Sequence, residues 1–224
     1  MAPEHFNLAR DKNMTGQITL ETAFGRELKA LAANPRYSVF LDVGPWNGQG
    51  TTRCLWEGVK ERTDRPRIIS IEANRDWWRV ASSVWRDVSG GPTIVWGRVA
   101  ERMMSDKEIL EHPLYDKIKE HYALHFTQDE RDFKVAPLVH LRRCDVAVLD
   151  GGEFCGRGDW AAVEPLAPRV VCLDDVNVMK NSDVLAELLA KGWKLIWRSD
   201  ERNGAAILER PDASPEPVKN EGSE

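Results

Sequence analysis

The stretch LDVGPWNGQGTT, residues 41–52, sets Gly44, Gly48 and Gly50 between an apolar run and a pair of threonines. Glycines let the backbone take positive φ or approach a ligand closely, and a helix starting just beyond them presents unpaired amides. Such a turn could cradle a dinucleotide pyrophosphate, hold the methionine end of S-adenosylmethionine, or simply close a strand-to-helix corner. Further along, Glu72 lies near the end of RIISIEA, where a carboxylate can accept hydrogen bonds from both ribose hydroxyls of a nucleoside. More acids end apolar runs: Asp150 in DVAVLD, and Asp174 with Asp175 in RVVCLDD. Clustered carboxylates repel one another, and a hard divalent cation such as Mg²⁺ is the usual remedy. Asp150 and Glu153, which follows it closely, are the candidates for catalytic acid–base work.

These residues need elements to bring them together, and the chain alternates between two kinds. Apolar runs of strand length lie at 38–43, 67–73, 93–97, 145–150 and 169–175. Helical spacing fills 18–33, the segment from Thr51 or Thr52, the segment carrying Trp77, Val80, Ala81, Val84, Trp85 and Val88, the region 159–167, and VLAELLA before Gly192. Ser105 with Glu108, and Thr127 with Glu130, have the pattern of helix-starting capping boxes. WKLIWRS and AAILER, joined through Asn203-Gly204, read as a terminal hairpin. Four of the five earlier strands are apolar on both faces, as parallel strands are when helices cover both sides of a sheet. The expected fold is therefore α/β, a doubly wound Rossmann-like sheet whose ligand site lies at the carboxyl ends of its strands.

Composition narrows the function classes. With 224 residues, 30% charged and a net charge of −5, the chain is long enough for one domain and carries no broad basic surface for nucleic acid. No run approaches the roughly 20 apolar residues of a membrane-spanning helix, and MAPEHFNLARDKN lacks the apolar centre of a signal peptide. Cys54, Cys144, Cys155 and Cys172 show no C-x-x-C spacing and read as buried thiols of a reducing, cytoplasmic compartment. Most of the nine tryptophans fall at core-facing spacings.

On these motifs, residues 35–210 resemble class I S-adenosylmethionine-dependent methyltransferases. LDVGPWNGQGTT is similar to the first motif of that family, IISIEA to the second, and the hairpin to its antiparallel seventh strand. The resemblance implies a seven-stranded sheet and S-adenosylmethionine as cofactor. Gly44, Gly48 and Gly50 would approach its methionine portion, Asp42 would order the turn or meet the amino group, and Glu72 would hold the ribose. Ala73, Arg98, Val99 and Asp150 would complete its site, and Trp46 would either pack over the cofactor or belong to the core. Pro45 and Trp46 are bulkier than the small residues the family usually has in this motif.

The Asp150, Asp174 and Asp175 constellation is similar to that of metal-dependent O-methyltransferases of the catechol and macrocin types. That likeness implies a Mg²⁺ ion on these three carboxylates and a small-molecule or sugar hydroxyl as acceptor. The loop after Asp150 lacks the histidine that often follows in macrocin-like sequences. Residues 1–34 read as an N-terminal extension and helix, 35–210 as the methyltransferase domain with an insert at about 99–143, and 211–224 as a disordered tail. Neither nucleic acid nor membrane is expected as a partner, and self-association is left open. Two other readings compete: a non-catalytic nucleoside-binding scaffold, and a short-chain dehydrogenase using Tyr115 and Lys119. The dehydrogenase order is wrong, because its glycine turn lies close to the N-terminus and its tyrosine follows a later strand. His112, His121, His125 and His140, all in or beside the insert, are weaker candidates for a base.

Overall fold

The computed structural model describes residues 7–11, 13, 14, 17–135 and 141–211. Seven strands form one sheet: β1 (Val39–Val43), β2 (Arg67–Glu72), β3 (Thr93–Trp96), β4 (Val146–Leu149), β5 (Val170–Asp174), β6 (Lys194–Ser199) and β7 (Ala205–Glu209). Their order is β3-β2-β1-β4-β5-β7-β6. The first five run parallel, and β7 pairs antiparallel with both β5 and β6. This is the expected doubly wound Rossmann-like sheet with an antiparallel terminal hairpin. The direction of winding reverses between β1 and β4, so the carboxyl ends of these neighbours open a crevice.

Eight helices accompany the strands among the described residues: α1 (Leu8–Asp11), α2 (Ala23–Ala33), α3 (Thr51–Val59), α4 (Arg75–Trp85), α5 (Asp106–Leu110), α6 (Tyr122–Asp132), α7 (Gly156–Val163) and α8 (Met179–Ala190). The two-residue period of the strands sorts their side chains between two cores. Leu41, Val43, Ala147, Leu149, Val171 and Leu173 face α7 and α8, where Trp160, Val163, Leu185 and Leu188 meet them. Phe40, Val146, Val148 and Cys172 face α2 and α3, packing with Phe24, Leu28, Cys54 and Leu55. Helix α2 lies hard against α3, since a Cβ at Gly58 would come within 2.4 Å of the Lys29 carbonyl oxygen.

Several local expectations are revised. Thr127 starts no helix: it lies inside α6 and donates its hydroxyl back to the Ala123 carbonyl, 2.7 Å away. The Ser105–Glu108 capping box does form, at the start of α5. Helix α7 begins at Gly156, ahead of the region expected from residue 159. Gly156 and Gly158 are there for close packing: a Cβ would sit 1.8 Å from the Lys180 carbonyl oxygen or 2.1 Å from that of Arg102. Of the nine tryptophans, Trp85, Trp160 and Trp193 are buried, and Trp56 and Trp197 pack partly buried against the core. All four cysteines are buried and free. No helix among the described residues is long and apolar enough to cross a membrane. The expected tail from Asp212 onward and His140 lie outside the described residues.

Candidate functional site

The turn after β1 is built from beneath by Asp42. This carboxylate is buried and accepts hydrogen bonds from the hydroxyls of Thr51 (2.8 Å), Thr52 (2.5 Å) and Ser70 (3.1 Å). It thereby joins the end of β1, the first turn of α3 and the middle of β2, and it lines neither of the two cavities that meet at the turn. Gly44 takes φ +79°, and any Cβ there would lie 2.2 Å from the Asp150 carbonyl oxygen. Gly48 takes φ +76°, and its carbonyl accepts from the Trp85 indole at 3.0 Å. Gly48 too supports the turn from outside the cavities, whereas Gly44 and Gly50 line them. Trp46 also sits in the left-handed region at φ +51°.

Two cavities meet at this turn. The larger, about 680 Å³, runs over the carboxyl ends of β1, β2 and β4 and is lined by Gly44, Trp46, Glu72, Ala73, Trp77, Arg98, Val99, Asp150 and Glu153 among others. The smaller, about 320 Å³, is lined by Gly44, Pro45, Trp46, Gly50, Asp150, Asp174, Asp175, Lys180 and Arg202 among others. Glu72 is buried, and burial pushes its carboxyl up to about 8. Its Oε2 accepts from the Trp46 N–H at 2.9 Å and its Oε1 from the Asn74 N–H at 2.8 Å. The Trp46 and Trp77 rings lie 4.7 Å apart and form one wall. The bulky residue in the glycine motif is therefore half of an aromatic pair beside Glu72.

Arg98 is held by its surroundings: Nε donates to the Val135 carbonyl at 2.7 Å, Nη1 donates to that of Ala100, and the guanidinium lies 4.1 Å from the Phe133 ring centroid. Helix α6 adds acids that the sequence reading missed. Asp129 accepts from the Phe154 N–H at 2.7 Å, and Asp132 accepts from the Asn74 amide at 3.2 Å. Their i,i+3 spacing, which puts both on one helix face, was the available signal. Asp159 lies deeper and accepts from the Ala100 N–H at 3.0 Å. Burial raises Asp129 to about 6, and Glu153 and Asp159 to about 7. The larger cavity is thus ringed by carboxylates.

Asp150, Asp174 and Asp175 do converge, with one oxygen of each within 4.8 Å of the others. The Lys180 ammonium lies among them, 2.5 Å from Asp150 Oδ1 and 3.2 Å from Asp175 Oδ2. Burial works against that charge, but Asp150, Asp175 and Asp174 more than offset it and hold Lys180 well above the ordinary lysine range. Arg202 adds a second cation, 3.7 Å from Asp174 Oδ2 and 3.8 Å from Asp175 Oδ1. These residues do not fit a resident Mg²⁺: its oxygen ligands must stand at about 2.0–2.1 Å in an octahedron, and here Asp150 Oδ1 and Asp175 Oδ2 already serve an ammonium. The expected three carboxylates therefore come together, but around the cations of Lys180 and Arg202. Lys180 was overlooked because the acids were counted without a cation five residues further on.

The dehydrogenase pair is not at the site. Tyr115 packs on Tyr122 with ring centroids 6.0 Å apart, and Lys119 pairs with Asp116 at 3.0 Å. Neither lines the two cavities. Of the histidines, His125 lines the larger cavity, and His112 lies 3.3 Å from Asp183.

No protein-family model and no curated protein matches the chain. Solved structures do. An O-methyltransferase from Bacillus cereus in complex with SAH is 12% identical, aligned over 94% of this chain and 93% of that one, with a TM-score of 0.56. An SAH-bound methyltransferase from Podospora anserina is 10% identical over 84% of this chain and 78% of that one, with a TM-score of 0.53. A methyltransferase from Geobacter sulfurreducens is 13% identical over 91% and 85%, also at 0.53. The chain shares the fold of these methyltransferases.

Proposed function

We propose that this protein is an S-adenosylmethionine-dependent methyltransferase acting on an oxygen of a small molecule or sugar. The observation that carries the reading is the placement of Glu72. It is a buried carboxylate at the end of β2, hydrogen-bonded to the turn after β1 and lining the cavity at the sheet's switch point. The fold shared with SAH-bound methyltransferases supports it.

The residues present fit this cofactor. Glu72 would hold the ribose hydroxyls, Gly44 and Gly50 would admit the methionine portion, and the Trp46–Trp77 wall with Ala73 and Val99 would enclose the nucleoside. The carboxylate ring suits a ligand bearing a sulfonium and an ammonium against one carboxylate group. When bound, S-adenosylmethionine supplies an electrophilic methyl group. Asp42 keeps the turn in its binding shape through three hydroxyl hydrogen bonds. Glu153, half-buried and held near neutral range by burial, takes the proton that the acceptor hydroxyl loses. Positioning supplies most of the remaining rate, since direct displacement needs the two reactants in line. The acceptor would enter through the smaller cavity, whose wall shares Gly44, Trp46, Asp150, Asp175 and Lys180 with the larger one. Four buried free thiols suit a reducing cytoplasmic setting.

Incubation with S-adenosylmethionine labelled in its methyl group and a panel of hydroxyl acceptors tests this, alongside calorimetry with SAH and with NADH. SAH binding and label transfer to oxygen support the proposal. Binding of NADH alone would overturn it, and SAH binding without transfer to any acceptor would favour the scaffold reading.

A further inference from the structure

The position of Lys180 is set by the backbone around it. The Asn181 amide donates to the Leu149 carbonyl at 3.0 Å and to the Asp174 carbonyl at 2.7 Å, clamping the start of α8 across the ends of β4 and β5. The Lys180 carbonyl packs against Gly156, where no Cβ would fit. Its side chain, 8% exposed, is left between the acids that end the two strands. Three carboxylates there face two cations, Lys180 and Arg202. With all three acids ionised the site keeps one net negative charge, and a divalent ion entering it would have to displace the ammonium.

We infer that Lys180 is the resident cation of this site, taking the place of a divalent metal, so that an ammonium N–H holds the acceptor oxygen and transfer needs no metal. An ammonium has three donors. Two serve Asp150 and Asp175, leaving the third for an oxygen where the cavities join, since Lys180 lines both. Asp175 Oδ1 is buried with no hydrogen-bond partner among the described residues. A hydroxyl that accepts from Lys180 can donate to that oxygen in return. The acceptor's role rests on the methyltransferase reading; the ion balance does not.

Mn²⁺ binding to the full chain, followed by electron paramagnetic resonance, tests the inference. Wild type should leave the free Mn²⁺ signal unchanged up to millimolar concentration, and Lys180→Met should capture about one ion per chain and gain thermal stability from it. Stoichiometric Mn²⁺ binding by wild type, lost in Asp175→Asn, would overturn the inference. If Lys180→Met fails to fold, the wild-type titration still decides. Turnover of wild type should be the same in EDTA and in Mg²⁺; a tenfold or greater loss in EDTA would also overturn it. SAH titrated in parallel separates the two ideas: wild type that binds both SAH and Mn²⁺ keeps the methyltransferase reading and loses this one.

Discussion

The backbone N–H of Trp46 meets Glu72 Oε2 at 2.9 Å, tying the turn after β1 to the acid that ends β2. Because the second oxygen of Glu72 accepts from Asn74, which caps α4, one buried side chain links two strand ends and a helix start.

Trp46 holds this link in a left-handed conformation, which costs a residue with a Cβ about 1–2 kcal/mol. Both Trp46→Gly and Trp46→Ala lose the ring contact with Trp77, but only glycine relieves the backbone. Urea denaturation should find Trp46→Gly more stable than Trp46→Ala by about 1 kcal/mol. Both should bind SAH more weakly than wild type.

Gly44→Ala should be far more damaging. Its Cβ would lie 2.2 Å from the Asp150 carbonyl oxygen at a φ of +79°, so either the turn or the loop after β4 must move. A loss of about 3 kcal/mol or more in urea denaturation is expected, in the range reserved for strain at special backbone positions.

Glu153 should set the pH dependence of turnover. It acts as a base only when deprotonated, and burial raises its carboxyl to about 7. The rate should therefore climb as pH rises through about 7 and level off above it. Glu153→Gln should lower kcat by about 10²–10⁴-fold and remove that step from the profile.

Lys180→Met should destabilise the protein by about 3–5 kcal/mol at pH 8, because it leaves buried carboxylates uncompensated. Burial already raises the Asp150 carboxyl, and losing the ammonium that lowers it lifts its folded-state value further above its unfolded one, so the folded state binds more protons. Stability then falls as pH rises between those values, and the deficit should shrink at pH 5. Thermal melts at the two pH values check this, and an equal deficit at both would contradict it.

The sheet was legible because β1, β4 and β5 are buried along their whole length and contain little but Val, Leu, Phe, Ala and Cys. The turn was legible from its glycines, although spacing could not separate Gly44, which faces both cavities, from Gly48, which packs on Trp85. Lys180 was not legible, because its place depends on Asn181 reaching two carbonyls and on a glycine in another helix. Gly156 and Gly158 read as loop residues because nothing local reveals the backbone that crowds them. The same holds for Asp129 and Asp132, whose relation to Glu72 arises only when α6 folds over the strand ends.

The central claim is that Glu72 anchors a bound nucleoside cofactor, and calorimetry with SAH on wild type and Glu72→Ala tests it most directly. Wild type should bind SAH, and the variant, checked for folding by circular dichroism, should bind at least about tenfold more weakly, a loss of about 1.4 kcal/mol. A wild type that takes up no SAH, or a folded Glu72→Ala variant with unchanged affinity, would contradict the account.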